Sequence, residues 1–218
     1  MHTLFSDGVL LPSELVQRCV AAGYSVMGIS DHADPSNIEM LVEAAVKIAD
    51  EFNSRDDVPI SVVPGVELTH VIPETIAELT NRAKELGARF VVMHGETIVE
   101  PVPEGTNLAA IEAGVDILAH PGLITTKEAG LAKERGVALE ITTRKGHSLT
   151  NGHVARLARE AGAPMVLNSD THTPDNILTI CLREKTILGA GLDKESVDEL
   201  AANSRRLAEK FLGKKLSN

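Results

Sequence analysis

Six short apolar runs in this chain each lead into a histidine or a carboxylate. Met27-Gly28-Ile29-Ser30 leads to Asp31 and His32, residues 60–66 to Glu67, 90–93 to His94, 116–119 to His120, 137–139 to Glu140, and 165–168 to Asp170 and His172. A strand buried on both faces reads as such a run, and in a parallel α/β barrel the carboxyl ends of all strands meet on one face. Side chains scattered over most of the chain therefore converge on one place. That place holds only nitrogen and oxygen donors, a set suited to divalent metals.

Between the runs lie helical patterns. Periodicity predicts helices over residues 12–22, 36–53, 73–86, 107–113, 126–135, 152–161, 194–200 and 204–212. Strands are predicted over 26–30, 60–66, 89–93, 116–119, 137–141 and 165–168, and residues 186–188 read as a strand stub or a loop. Gly87, Gly114, Gly136 and Gly162 each stop a helix just before a strand, the return expected of repeated βα units. The longest irregular stretch, residues 95–106, carries three Glu and two Pro. It follows His94 and is placed to cover the site.

Composition excludes several functions. The 218 residues include no Trp, one Tyr and four Phe, so stacking platforms for single-stranded nucleic acid are scarce. The formal net charge of -10 carries no basic footprint for long nucleic acid, while bound cations can still create a local anion site. No run approaches the ~20 apolar residues of a membrane span. No signal-peptide pattern follows Met1, so a cytoplasmic location is expected. Cys19 and Cys181 fall in predicted helices far apart in sequence and read as two buried, reduced thiols.

The segment His2-Thr3-Leu4-Phe5-Ser6-Asp7-Gly8 now becomes informative. With Asp31-His32, Pro64-Gly65-Val66-Glu67, His94-Gly95, His120-Pro121-Gly122 and Ser169-Asp170-Thr171-His172, it resembles the motif series of the polymerase and histidinol phosphatase (PHP) superfamily of metal-dependent phosphoesterases. The pieces keep the family's order from Met1 to about Thr173. The resemblance implies a distorted seven-stranded (β/α) barrel, residues 1–218 forming one PHP-type domain. It also implies up to three divalent metals, zinc, manganese or iron. His2 and Asp170 would hold the first, with Glu67 bridging to a second completed by His94 and His120. Asp7, His32 and His172 would hold the third.

The family pattern opens with two histidines flanking one residue. His2 matches the second, and the first falls one position before Met1. The first strand is therefore expected to be truncated or vestigial, and the His2 metal position weak. A barrel short of a strand leaves an open edge. Cover is expected from a second copy of the chain, giving a homo-oligomer, or from the terminal helix 204–212.

The loop after the 137–141 strand adds the remaining candidates. Arg144 and Lys145 are the phosphate-binding candidates, since Arg grips phosphate in a fork. Arg144 and His147 are also the catalytic candidates, His147 as a general acid near the leaving group. Asp31 reads either as a partner orienting an imidazole or as a helix-entry residue. Glu140, His70 and His153 read as structural, and nothing in the sequence requires Glu96 at the site.

The implied reaction is attack by metal-activated water on a small phosphoester, with no protein nucleophile. Histidinol phosphate, nucleotide phosphates and other small phosphoesters all fit. Two alternatives stay open. One is another metal-dependent barrel hydrolase, of the amidohydrolase or TatD-like nuclease kind. The other is a non-catalytic or truncated PHP relative.

Overall fold

In the computed structural model, residues 1–55 and 57–216 are described. Strands β1 (Val26–Ile29), β2 (His32–Ala33), β3 (Ser61–Leu68), β4 (Phe90–His94), β5 (Ile117–Ala119), β6 (Ala138–Thr142) and β7 (Met165–Asn168) form one sheet, all pairs parallel. The order is β1-β3-β4-β5-β6-β7, with β2 also on β3. β1 and β2 share a single register against β3, Ile29 beside Pro64 and His32 beside Glu67. They are one strand interrupted at Ser30 and Asp31. Helices α1 (Pro12–Ala21), α2 (Ile38–Asn53), α3 (Ile76–Leu86), α4 (Thr106–Ala113), α5 (Thr126–Arg135) and α6 (Asn151–Ala161) alternate with the strands; α7 (Ile180–Gly189) and α8 (Glu195–Leu212) follow. This is the expected distorted parallel α/β barrel, left open between β1 and β7.

Strand parity decides where the polar ends point. Val63, Phe90, Val92, Ile117, Ala119, Ala138 and Val166 face one another inside the sheet's curve. Successive side chains alternate faces, so Glu67 continues the face of Val63, His94 that of Phe90 and Val92, and Glu140 that of Ala138. Phe90 fills the interior because two glycines leave it room. A Cβ on Gly28 or Gly65 would lie 2.7 or 2.4 Å from the Phe90 ring.

The opening between β1 and β7 is bridged at both ends. At the carboxyl ends, Ser30 N–H donates to the Met1 carbonyl (2.9 Å) and His2 N–H to the Thr171 carbonyl (2.8 Å). At the amino ends lies α8, the terminal helix expected as cover. Asn203 Nδ2 donates to the Met165 carbonyl at 2.8 Å, and Lys210 Nζ pairs with Asp116 at 2.8 Å. Phe211 stacks on Phe90 with ring centroids 5.3 Å apart. Leu207 and Leu212 join the interior cluster.

Three expectations are corrected. Residues 186–188 belong to helix α7, whose first turn Thr179 caps by accepting from Leu182 N–H. Residues 194–200 and 204–212 form one continuous helix, because Asn203 turns its amide to β7 instead of breaking the helix. Cys19 is buried, but Cys181 is exposed because α7 buries only Ile187; both thiols are free. Among the described residues, no helix is long and apolar enough to cross a membrane.

Candidate metal centre

The site begins with how residues 1–8 are tied down. The Asp31 carboxylate accepts from Thr3 N–H (2.6 Å), Thr3 Oγ1 (2.7 Å) and Ser6 Oγ (2.7 Å). Asp31 thus neither orients an imidazole nor enters a helix; it clamps the segment carrying His2 and Asp7. A Cβ on Gly8 would lie 2.4 Å from the His2 carbonyl oxygen, so only glycine lets this loop close. The fold inserts the His2 ring between His32 and His172, at centroid distances of 4.1 and 4.2 Å.

Three groups of potential ligands adjoin. In the first, His2 Nε2 lies 3.0 Å from Asp170 Oδ1 and 3.4 Å from Glu67 Oε2. In the second, His94, His120 and His147 are all buried, and His120 stacks 4.2 Å from His147 and lies edge-on 4.4 Å from His94. Glu67 reaches both groups, since its Oε1 lies 3.9 Å from His120 Nε2. In the third, Asp7 Oδ1 lies 3.4 Å from His32 Nε2 and 3.1 Å from His172 Nε2. The two Nε2 atoms are 3.4 Å apart.

The tautomers of the third group show what it lacks. Thr69 Oγ1 donates to the Glu67 carbonyl, so it must accept from His32 Nδ1–H at 2.6 Å. His172 Nδ1–H donates to the Asp170 carbonyl at 2.9 Å. With Nδ1 of both rings donating, the two Nε2 atoms face each other and a carboxylate, and a cation between them, a proton or a metal ion, offsets their repulsion. Zinc bonds of ~2.0–2.1 Å place tetrahedral ligands ~3.3 Å apart, matching these edges. Glu67 Oε1 and His120 Nδ1 are also buried without a hydrogen-bond partner, as expected of a donor set shaped for cations.

Electrostatics follow the same grouping in the metal-free chain. Burial pushes the His2 imidazolium down, but its hydrogen bonds with Asp170 and Glu67 hold it up to about 9. Burial also raises Glu67 and Asp170, yet their contacts with His2 outweigh it and leave both below the usual carboxylate range. Burial lowers His32 to about 4 and, with His94 beside it, His120 to about 3. Asp7 lies at about 2, because its bond with His172 and the charge of His32 overcome burial. Glu140 is pushed up to about 8 by burial and by Asp170. Its carboxyl accepts from His120 N–H (3.0 Å) and Asn168 Nδ2 (2.9 Å), a bracing role under the site.

Backbone strain singles out the same residues. Among the described residues other than glycine, positive φ occurs at His70 (53°), His120 (27°) and Asp170 (47°). Conformations of this kind persist where surrounding structure over-determines them, and they cluster at functional sites.

The structure brings His2, Asp7, His32, Glu67, His94, His120, Asp170 and His172 together. It also places His147 beside His94 and His120. Its Nδ1 meets Thr97 Oγ1 at 2.7 Å, and the ring joins the imidazole cluster. Arg144 faces the site, with Nε 3.7 Å from Asp170 Oδ2 and Nη1 donating to Asn176 Oδ1 at 3.2 Å. Lys145 does not: it is exposed and outside the cavity lining. His153 donates to the Ile124 carbonyl at 2.7 Å, the structural part expected of it. His70, expected to be structural, instead reaches the site. Glu100 was missed as a residue, although the sequence marked its loop. Glu96 accepts from Asn107 N–H at the start of α4.

An outward cavity of about 390 Å³ opens over Asp7, His32, His94, Glu100, Arg144, His147, Asp170 and His172. A second, of about 790 Å³, lies on the interior side under His2, Glu67 and Asp170, walled by Phe90, Leu207 and Phe211.

No protein-family model matches the chain. It is 46% identical over 198 residues to an uncharacterized protein of Methanocaldococcus jannaschii, MJ1295, covering 90% of each. It is 27% identical over 195 residues to the DNA polymerase/3'-5' exonuclease PolX of Bacillus subtilis, covering 79% of this chain and 33% of that one. A probable phosphatase of Shewanella loihica is 37% identical over 93 residues, 35% of this chain and 38% of that protein. Among solved structures, histidinol phosphate phosphatase from Lactococcus lactis, complexed with zinc, L-histidinol and phosphate, has a TM-score of 0.61 at 17% identity. It covers 88% of this chain and 92% of that one. The chain belongs to the PHP superfamily. A chain of archaeal ribonuclease P shares the fold at a TM-score of 0.62 and 17% identity, covering 84% of this chain and 81% of that one. This PHP chain spans about a third of PolX's length.

Proposed function

We propose that this PHP protein hydrolyses small phosphoesters with the help of divalent cations. The observation that carries the reading is the triangle of Asp7, His32 and His172, whose donor atoms lie at metal-ligand spacing, set beside two further ligand groups linked through Glu67. The donor set accommodates zinc, manganese or iron, up to three ions. When bound, such cations offset phosphoryl charge and make water more acidic.

The chain's own residues do the rest. His2, Glu67 and Asp170 form a buried base that holds charge without rearrangement. The guanidinium of Arg144, braced by Asn176, supplies donors on the cavity wall for a phosphate oxygen. Asp170 holds that guanidinium toward the site. His147 fits a ligand role beside His94 and His120 better than a proton-donor role. The cavity of about 390 Å³ suits a small substrate and exposes the ligands from one side.

The test is turnover of small phosphomonoesters by protein loaded with manganese or zinc, with metal counted per chain. Hydrolysis that disappears on chelation and returns with metal is the expected result. Full metal loading without hydrolysis of any phosphoester would reject the reading, and hydrolysis of amides instead would favour an amidohydrolase.

A further inference from the structure

The loop between β4 and α4 is pinned at its ends and reaches the site at its tip. Glu96 N–H donates to Asn107 Oδ1 at 3.0 Å, and Asn107 N–H returns a bond to Glu96 Oε1 at 2.8 Å. Gly122 admits the Glu96 carbonyl, which would lie 1.8 Å from a Cβ there. Thr97 Oγ1 meets His147. Beyond these anchors Ile98, Val99 and Glu100 are all exposed, and Glu100 lines the cavity.

The Glu100 carboxylate meets three imidazoles from three parts of the fold. Its Oε2 lies 3.1 Å from His94 Nε2 and 3.2 Å from His70 Nε2, and its Oε1 lies 3.4 Å from His147 Nε2. His94 Nδ1–H donates to the Gly95 carbonyl at 3.2 Å, which aims its Nε2 at Glu100. A ring nitrogen and a carboxylate at that separation share a proton or a metal cation. His70 is held at a φ of 53°, in the same strained group as His120 and Asp170. That strain turns a residue just past β3 toward Glu100.

We propose that Glu100 is an exchangeable ligand of the cation position formed by His94 and His147, that His70 is its positioning residue, and that substrate phosphate displaces the carboxylate on binding. The proposal rests on the phosphoesterase reading for the identity of the anion. The loop-borne carboxylate, 39% exposed, can leave without disturbing the strand-borne ligands. A competitor that fills a position ~90% of the time weakens apparent affinity about tenfold.

The test measures binding of inorganic phosphate to the manganese-loaded protein by calorimetry, with metal counted per chain. Glu100→Gln should keep the wild-type metal count and bind phosphate about tenfold more tightly. His70→Ala should shift affinity the same way by less, and Glu100→Asp should fall nearer wild type. Unchanged or weaker phosphate binding in Glu100→Gln overturns the proposal. So does loss of a metal per chain, which would make Glu100 an integral ligand. Turnover of phosphomonoesters, measured separately, reports on the phosphoesterase reading. Tighter phosphate binding without turnover keeps the exchange and rejects the function; turnover with unaltered phosphate binding does the reverse.

Discussion

The two sides of the metal centre are built differently. Glu67, His94 and His120 sit at strand ends, and His2 and Asp170 lie against them, with side chains at most 7% exposed. Asp7, His70 and Glu100 come from loops, with side chains 56%, 37% and 39% exposed. Strand ends fix position through the sheet's hydrogen bonds, and burial in turn demands that charges be balanced. Loop residues remain solvated and can exchange partners at small cost. The buried side is therefore suited to retaining cations, and the exposed side to admitting and selecting an anion.

Removing a strand-borne carboxylate tests this division most severely. Glu67→Gln takes away one of the two carboxylates, with Asp170, that reach both His2 and His120. Metal content should fall at two positions, and phosphoester turnover should drop by more than the ~100-fold upper end for changes outside the ligand sphere. Metal analysis beside turnover checks this. An intact metal count in Glu67→Gln would break the comparison at its stronger side.

Chelation should expose the buried side's charge balance as a pH dependence of stability. In the metal-free chain His2 is raised from 6.5 to about 9, so its contribution is complete below pH 6.5 and is lost as pH rises through 9. Glu140, raised from 4.5 to about 8, loses stability in the same direction as pH rises through 8. His32 and His120, lowered to about 4 and about 3, act only below pH 6.5. The metal-free protein should thus lose on the order of 3 kcal/mol between pH 6.5 and 9 from His2 alone. Metal-loaded protein has already displaced that proton and should stay flat. Parallel melting curves for the two forms would show that His2 does not carry the balance.

The same division explains what the sequence discloses. A strand-borne candidate ligand follows an apolar run, so the positions of Glu67, His94 and His120 at strand ends are legible from pattern alone, as is the parallel α/β fold that gathers them. Helix ends are legible where Gly87, Gly114, Gly136 and Gly162 stop them. Loop-borne groups have no such register. Nothing local distinguishes Glu100 from Glu96 or Glu104 on the same loop, and which one lines the cavity depends on anchors at Thr97 and Asn107. His70 gives no local sign because its position depends on a backbone conformation uncommon outside glycine. Asp31 reads from sequence only as an imidazole partner or a helix-entry residue, because its clamp on Thr3 and Ser6 joins segments too far apart in sequence for pattern to reveal.

On the loop-borne side, Arg144→Ala should leave metal content unchanged and raise KM about tenfold, with a smaller effect on kcat. A charge-assisted contact contributes ~1.5–3 kcal/mol, and water will replace part of it. Arg144→Lys should recover little, because Lys presents a point charge in place of the fork that Asn176 braces. Steady-state kinetics with metal analysis separates the outcomes. Loss of metal in Arg144→Ala would mean that the guanidinium stabilises the ligands through Asp170 rather than meeting substrate.

The smallest expected effect sharpens the comparison most narrowly. Arg144 and Lys145 are adjacent and both basic, and the sequence makes both phosphate-binding candidates. In the structure Arg144 lines the cavity, while Lys145 is exposed outside it. If position rather than charge decides, Lys145→Ala should change kcat/KM by less than about twofold at moderate ionic strength, because a solvated, exposed charge makes no direct contact with substrate and is weakened by salt. Lowering the salt should reveal only a weak, general loss of attraction for an anionic substrate. The kcat/KM ratio of wild type to Lys145→Ala, followed across ionic strength, checks this. A salt-independent loss in Lys145→Ala comparable to that of Arg144→Ala would show that Lys145 swings over the cavity on binding. The loop around Gly146 would then belong with the exchangeable side of the centre.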